Sequence, residues 1–305
     1  MRVIQRPYPT DGRVVALGTF DGVHLGHQSL LHLAASAAKT HGVPLRVCTF
    51  NRHPLDVIRP KSAPEQLTTI PEKATLMSSL GVDEMELINF DRTMADLEPG
   101  AFLKRLHTMM RVKAVVAGWN YTFGRRGEGN AVTLREDGRK NGYDVIIVPP
   151  VRTDNGTAIS STLIRQWLAE GNVDEAGKLL GYPYMLTGTV AQGKHQGQRL
   201  GFPTANIEPW HRKALPRFGV YACLLRCSGG TLHAVTNIGV QPTLPSGRVT
   251  VEAHVLESCP ELYGRKVRIF LTHMLREEKQ FESTGQLKEQ IEQDRLATLK
   301  YFNMA

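Results

Sequence analysis

Short, continuous apolar runs alternate with longer amphipathic stretches through the first half of the chain. Arg13–Gly18, Leu45–Phe50, Met85–Asn89, Ala114–Gly118 and Asp144–Val148 have the length and composition of strands buried on both faces. Between the first two, His27–His41 places Leu30, Leu31, Leu33, Ala34, Ala37 and Ala38 on one helical face and stops at Gly42. Pro71–Leu80 and Pro99–Met110 read as further helices, each with proline in its first turn. This alternation predicts a doubly wound parallel α/β sheet, whose ligands lie beyond the carboxyl ends of the strands.

The texture then changes. Ile159–Leu168 predicts a helix capped by Ser160 or Ser161, with Leu163, Ile164, Trp167 and Leu168 inward. A second capped helix from Asn172 ends at Leu180-Gly181, where a domain boundary is expected: residues 1–181 and 182–305. Beyond it, Tyr184–Ala191, Gly219–Arg226, Thr231–Ile238, Arg248–Glu257 and Lys266–Thr272 are strand-like and separated by Gly, Pro and Ser turns, the spacing of a small barrel. Ser283-Thr-Gly-Gln286 reads as a capping box for a last helix carrying Leu287, Ile291, Leu296 and Leu299 inward.

With 305 residues, 41% apolar and 22% charged, the chain has the make-up of an ordinary globular protein of two domains. No apolar run is long enough to span a membrane, and the opening residues lack the apolar core of a signal peptide, so a cytoplasmic location is expected. Cys48, Cys223, Cys227 and Cys259 show no metal-binding spacing and read as idle thiols in a reducing compartment. A net charge of +8 favours anionic ligands, yet the basic residues are spread along the chain. Phosphorylated small molecules explain that balance as well as RNA does.

The chemistry concentrates in a few segments. Gly18-Thr-Phe20-Asp21-Gly-Val-His24-Leu-Gly-His27 joins the first strand to the first helix. Glycines allow close backbone approach, helix N–H groups favour an anion, and two imidazoles add donors for charge developing on phosphorus. A zinc site needs further ligands that the neighbourhood does not supply. Phe50-Asn-Arg-His53-Pro54 follows the second strand and by itself is a turn. In Gly118-Trp-Asn120-Tyr-Thr-Phe123-Gly124, the aromatic residues either stack on a planar ring or pack. Ser160-Ser161-Thr162-Leu-Ile-Arg165 places hydroxyls and a guanidinium at a helix start, which suits a polyphosphate as well as ordinary capping.

The His-x-Gly-His spacing resembles the α/β-phosphodiesterase nucleotidyltransferases, and the string from Gly18 to Gln28 is similar to bacterial FAD synthetases. All four segments, in this order, resemble the bifunctional riboflavin kinase/FMN adenylyltransferase family. The resemblance implies attack of the FMN phosphate on the α-phosphorus of ATP, with pyrophosphate leaving. It assigns catalysis to His24, His27 and Arg165, and nucleotide binding to Gly18, Phe20, Asp21, His53, Asn120, Phe123, Ser161 and Thr162. One departure stands out: Asn51-Arg52 precede His53, where the family usually has an acidic or similar residue and then proline.

In the second half, the Gly188–Asn206 stretch contains Gly193, Gly197, Gly201 and Pro203-Thr204-Ala-Asn206. A glycine-rich flap of this kind can cover a polyphosphate, while Thr204 and Asn206 offer oxygen ligands to a hard ion such as Mg²⁺. An irregular hairpin is the plainer reading. The string resembles the riboflavin kinase motif, and Phe218–Tyr221, Asn237–Thr243, Glu252–His254, Leu262–Gly264 and Leu275–Phe281 follow in the family's order. Glu252 matches the family's catalytic glutamate, which implies transfer of the ATP γ-phosphoryl group to the riboflavin 5′-hydroxyl.

The expectation is therefore a doubly wound α/β nucleotidyltransferase sheet followed by a riboflavin-kinase-type Greek-key barrel with a C-terminal helix. Such a chain makes FMN and then FAD, with Mg²⁺ as cofactor and ATP, riboflavin and FMN as substrates. No membrane or nucleic-acid partner is expected, and a homo-oligomer stays open. Two alternatives remain: retention of only one reaction, with the kinase the more secure, or a flavin- or nucleotide-binding regulator.

Overall fold

The computed structural model describes residues 1–4, 12–191, 204–240, 249–257 and 261–304. The chain divides into two compact units, Met1–Ser161 and Thr162–Ala305. The first contains strands β1 (Arg2–Ile4), β2 (Arg13–Leu17), β3 (Leu45–Phe50), β4 (Glu84–Ile88), β5 (Val112–Gly118) and β6 (Asp144–Val148). All pair in parallel, in the order β1-β4-β3-β2-β5-β6. Its helices are α1 (Leu25–His41), α2 (Pro54–Ile58), α3 (Ile70–Ser78), α4 (Arg92–Ala95), α5 (Pro99–Met110) and α6 (Ala131–Asn141).

Strand alternation divides the core between two faces. Val14 and Ala16 of β2 join Leu30, Leu31 and Ala34 of α1 and Met77 of α3. Val15 and Leu17 point the other way, into Phe102, Leu103 and Leu106 of α5. Each such aliphatic side chain contributes about 1.5–3 kcal/mol by leaving water. Leu33, expected on the inward face of α1, is 44% exposed. It stands about 200° around the helix from Leu31, outside the stripe that meets the sheet.

Charge inside this sheet was not legible as such. Arg46 of β3 is 1% exposed, and its guanidinium meets Glu84 at 2.8 Å and Glu86 at 3.2 Å. Arg13 of β2 reaches the same Glu84 at 2.8 Å. Burial opposes the Glu84 charge, but the hydrogen bonds from Arg13 and Arg46 outweigh it and hold its pKa below the usual carboxylate range. Helix α6 also escaped the apolar pattern because it is mostly polar. Asn130 caps it, and Gly138 admits the close approach of Tyr143 and Val145.

The second unit opens with α7 (Ser161–Ala169), whose first residue belongs to the first unit, and α8 (Val173–Leu180). Six strands follow: β7 (Tyr184–Ala191), β8 (Thr204–Ile207), β9 (Gly219–Cys227), β10 (Gly230–Val240), β11 (Val249–Val255) and β12 (Lys266–Glu277). They close an antiparallel barrel in the order β10-β11-β8-β7-β12-β9. Strand β12 returns to lie beside β9, which makes β9 to β12 a Greek key. It runs past the expected Thr272 because register shifts at Leu271/His273 and Met274/Arg276 let it stay paired with β9.

Helix α9 (Thr284–Tyr301) closes the chain. Ser283 caps it through the Gln286 N–H, but the Gln286 side chain accepts from Glu282, so only half of the expected box forms. Leu296 is 50% exposed and not inward. The buried line runs through Asp294 and Thr298, because Arg276 of β12 takes the Asp294 carboxylate in a two-pronged bond of 2.8 and 2.9 Å. Cys48, Cys223 and Cys227 are free thiols.

Removing Glu84 takes from Arg13 its carboxylate partner across the sheet and leaves Arg46 with Glu86 alone. Glu84→Ala is expected to lower stability by about 3 kcal/mol, measured by denaturant unfolding. A change below about 0.5 kcal/mol contradicts this account of the buried network.

Candidate active sites

The first site is built on the turn between β2 and α1. Asp21 is buried, and its carboxylate accepts from the Leu67 N–H at 3.1 Å and the Thr68 N–H at 3.1 Å. The Thr68 hydroxyl adds a bond to the same carboxylate and itself accepts from the Gly22 N–H at 3.0 Å. The turn is backbone-strained: Phe20 and Val23 have φ of 50° and 40°, a region that bulky and β-branched residues avoid. Such residues cost about 1–3 kcal/mol each and persist only where surrounding bonds fix them.

This turn delivers His24 to the N-cap of α1, with no side-chain cap on the helix's free N–H groups. One turn later, His27 stacks on His24 with ring centroids 3.7 Å apart. Gly26 permits that arrangement, because a Cβ there would press on the His24 ring at 3.1 Å. Phe20 packs against His27, and Gly18 lies under the Phe20 ring. The Nδ1 atoms of both histidines are buried without a hydrogen-bond partner. Desolvation lowers the His24 pKa to about 4, against a smaller opposing pull from Asp21. Desolvation, then His24 and Lys73, hold His27 well below the usual range. Two neutral, unsatisfied imidazoles beside open helix N–H groups form a receptor for an anion.

Lys73 was missed in the sequence. It sits on α3, buried, with Nζ donating to the Thr19 carbonyl at 2.6 Å. Burial lowers its pKa, while Asp21 opposes that shift. Only the fold shows that α3 returns to the β2 turn, so no local signal marked the residue.

The remaining expected residues fall in different places. Ser161 starts α7, and its hydroxyl donates to the Asp21 carbonyl at 2.9 Å, which ties it to the same turn. Thr162 and Arg165 follow on α7, within the second unit. His53 caps α2, its Nδ1 accepting from the Leu55 N–H at 3.1 Å. Asn120 is exposed, just past the carboxyl end of β5. Phe123 is buried against Phe102 and Tyr121. Beside the carboxyl end of β4 lies a cleft of about 130 Å³, lined among others by Ile88, Asn89, Met94, Phe102 and Leu106.

The second site is set by strand register. Asn206 of β8 pairs with Glu252 of β11, and Thr204 pairs with His254. Glu252 is also opposite Asn237 of β10. Directly opposed residues project to one face, so these polar groups share the outer face, while Ala205, Val251 and Ala253 turn inward and are buried. Gly193, Gly197, Gly201 and Pro203 lie outside the described residues.

Both histidines titrate below the ordinary value of about 6.5 when folded and near it when unfolded. The unfolded chain therefore binds more protons between that value and about 4, and stability rises with pH across the window. This contribution is complete above pH ~6.5 and is lost as pH falls. Replacing both histidines by Asn is expected to flatten the difference in unfolding free energy between pH ~4.5 and ~7. An unchanged difference contradicts the neutral-imidazole assignment.

The FAD synthetase family matches residues 7–163, and the riboflavin kinase family matches residues 180–302. The bifunctional riboflavin kinase/FMN adenylyltransferase of Escherichia coli strain K12 is 36% identical over 298 residues, covering 97% of this chain and 95% of that protein. The protein of the same name from Listeria monocytogenes is 36% identical, covering 98% of this chain and 97% of its own. A solved structure from Streptococcus pneumoniae, described as a macrolide-efflux protein, superposes with a TM-score of 0.87 at 32% identity, over 98% of this chain and 99% of that one. No helix among the described residues is long and apolar enough to cross a membrane. The chain belongs to the bifunctional riboflavin kinase/FMN adenylyltransferase family.

Proposed function

We propose that this chain phosphorylates riboflavin to FMN with ATP and then adenylylates FMN to FAD, releasing pyrophosphate. The observation that carries the reading is the pair of unpartnered imidazoles at the uncapped start of α1. A phosphate adds negative charge beside the imidazoles, and its arrival favours protonation of an imidazole that is otherwise neutral. His24 and His27 then hold the α- and β-phosphates as charge builds in the transition state. Lys73 supports the same charge from α3. By family resemblance, Ser161, Thr162 and Arg165 grip the departing pyrophosphate, and Asn120 contacts the ligand near the reacting centre.

Asp21 serves this site through the backbone, fixing the turn that presents both histidines. Gly18 and Phe20 shape the wall behind His27, and Phe123 backs Phe102. His53 anchors the loop past β3. The cleft beside β4 suits the flavin ring: it offers Met94, Phe102 and Leu106 for an aromatic face and Asn89 for a polar edge. It lies two strands from β2, about 10 Å at ordinary strand spacing, a span that the ribityl chain and phosphate of FMN can bridge. The FMN phosphate attacks the α-phosphorus, the bond to pyrophosphate breaks, and no covalent enzyme intermediate is required.

In the barrel, Glu252 accepts the proton of the riboflavin 5′-hydroxyl as it attacks the γ-phosphorus and ADP leaves. Thr204 and Asn206 would hold the nucleotide's Mg²⁺. Their neutral oxygens beside one carboxylate fit a hard cation that keeps water and phosphate ligands. Bound there, that ion would offset charge on the phosphates. Gly193, Gly197, Gly201 and Pro203 are assigned to the nucleotide by family resemblance alone. The division of labour falls at Gly181, the left-handed residue that ends α8, with residues 1–181 making FAD and 182–305 making FMN.

Riboflavin, ATP and Mg²⁺ incubated with the protein are expected to yield FMN and FAD, resolved by chromatography. His27→Ala should lower FAD formation from FMN by about two orders of magnitude, the scale of losing one transition-state donor, and leave FMN formation intact. Glu252→Gln should do the reverse. Equal loss of both steps in either variant contradicts separate sites.

A further inference from the structure

The outer face of the barrel carries a second carboxylate that the kinase reading leaves without a role. Glu278 follows the last residue of β12, and its carboxylate lies over the Cα of Gly239 on β10, where any Cβ would collide with it. From that position it accepts a hydrogen bond from the Asn237 side chain, two residues back along β10. Asn237 is opposite Glu252, and Glu252 is opposite Asn206. The three share one face, and Glu278 closes the row at its β10 end. Burial raises the Glu278 pKa, against the pull of Arg276 and the Asn237 bond. Arg276 is itself held by Asp294 of α9.

A carboxamide has a donor end and an acceptor end, and in a half-buried strand it can rotate to exchange them. A carboxylate accepts only. Its bond with Asn237 therefore directs the nitrogen to Glu278 and leaves the oxygen for the opposite side, toward the row. We propose that Glu278 is a positioning residue of the kinase site: it sets the orientation of the Asn237 amide beside Glu252, and through it the alignment of the hydroxyl that Glu252 deprotonates. The absence of a side chain at Gly239 leaves the space in which that carboxylate sits. This rests on the kinase reading given above.

Two variants disturb the contact from opposite ends. Glu278→Ala removes the acceptor. Gly239→Ala keeps the acceptor and pushes it off Asn237, and Gly239 has no positive φ to make alanine strained. Each is expected to lower kcat for FMN formation about tenfold, the scale of losing a partner that orients a functional group, with KM for riboflavin and ATP changed less than about twofold. The double variant should be no slower than either single one, because both break the same bond. Glu278→Gln keeps an acceptor oxygen and should stay within about twofold of the parent in kcat. FAD formation from supplied FMN should be unchanged in all four, which shows that the first unit is intact, while the nearly unchanged KM values show that the barrel is folded.

Unchanged kcat in Glu278→Ala, additive losses in the double variant, or a Glu278→Gln as slow as Glu278→Ala overturns the proposal while the parent and Glu252→Gln still behave as a kinase and its dead variant. A parent that makes no FMN, or a Glu252→Gln that keeps making it, overturns the kinase reading and this proposal with it.

Discussion

The Asp21 carboxylate accepts from two backbone N–H groups and one hydroxyl at Leu67 and Thr68, and those bonds join the exit of β2 to the approach of α3. Without them the turn has no reason to hold Val23 in a left-handed conformation, and His24 does not reach the start of α1. The same junction places Lys73 behind Thr19 and gives the Ser161 hydroxyl its acceptor at the Asp21 carbonyl. The placement of both histidines thus depends on the bonds that the Asp21 carboxylate makes to Leu67 and Thr68. Strain in the turn and burial of the imidazoles are stability spent on a pocket that is complete only when an anion arrives.

In the proposed reading, the two units reach phosphate chemistry by different physical means. The first uses a helix N-terminus, where peptide dipoles and unbonded N–H groups converge, and adds imidazoles whose charge responds to the ligand. The second uses sheet register, which sets Thr204, Asn206, Glu252 and Asn237 at fixed cross-strand positions on one face. A register slip of one residue in β11 would bury Glu252 and expose Val251, so the buried row of Val251 and Ala253 holds the site in phase. Core packing and function are thus coupled in the barrel through strand alternation.

Much of this was legible in the sequence because it depends on local periodicity. The apolar runs of β2 to β6, the proline-led helices and the Gly-rich turn between β2 and α1 all announce themselves within short windows. What was hidden depends on contacts between distant segments. Arg46 lies within an apolar strand and reads as an exception until Glu84 and Glu86 appear beside it on β4. Leu296 reads as inward by composition, whereas Asp294 takes that place because Arg276 lies opposite. Lys73 and Glu278 likewise gain meaning only through α3 and β12 meeting other elements. The register that brings Thr204 and Asn206 to Glu252 is a property of strand pairing, which no short window shows.

The central claim is that one chain holds two phosphate-handling sites with distinct residues. A crystal structure with Mg²⁺ and a non-hydrolysable ATP analogue tests it most directly. The account calls for two nucleotides per chain, one with its phosphates at His24, His27 and the start of α1, the other with its phosphates at Thr204, Asn206 and Glu252. A nucleotide bound away from His24 and His27, or a single nucleotide shared by both residue sets, contradicts it.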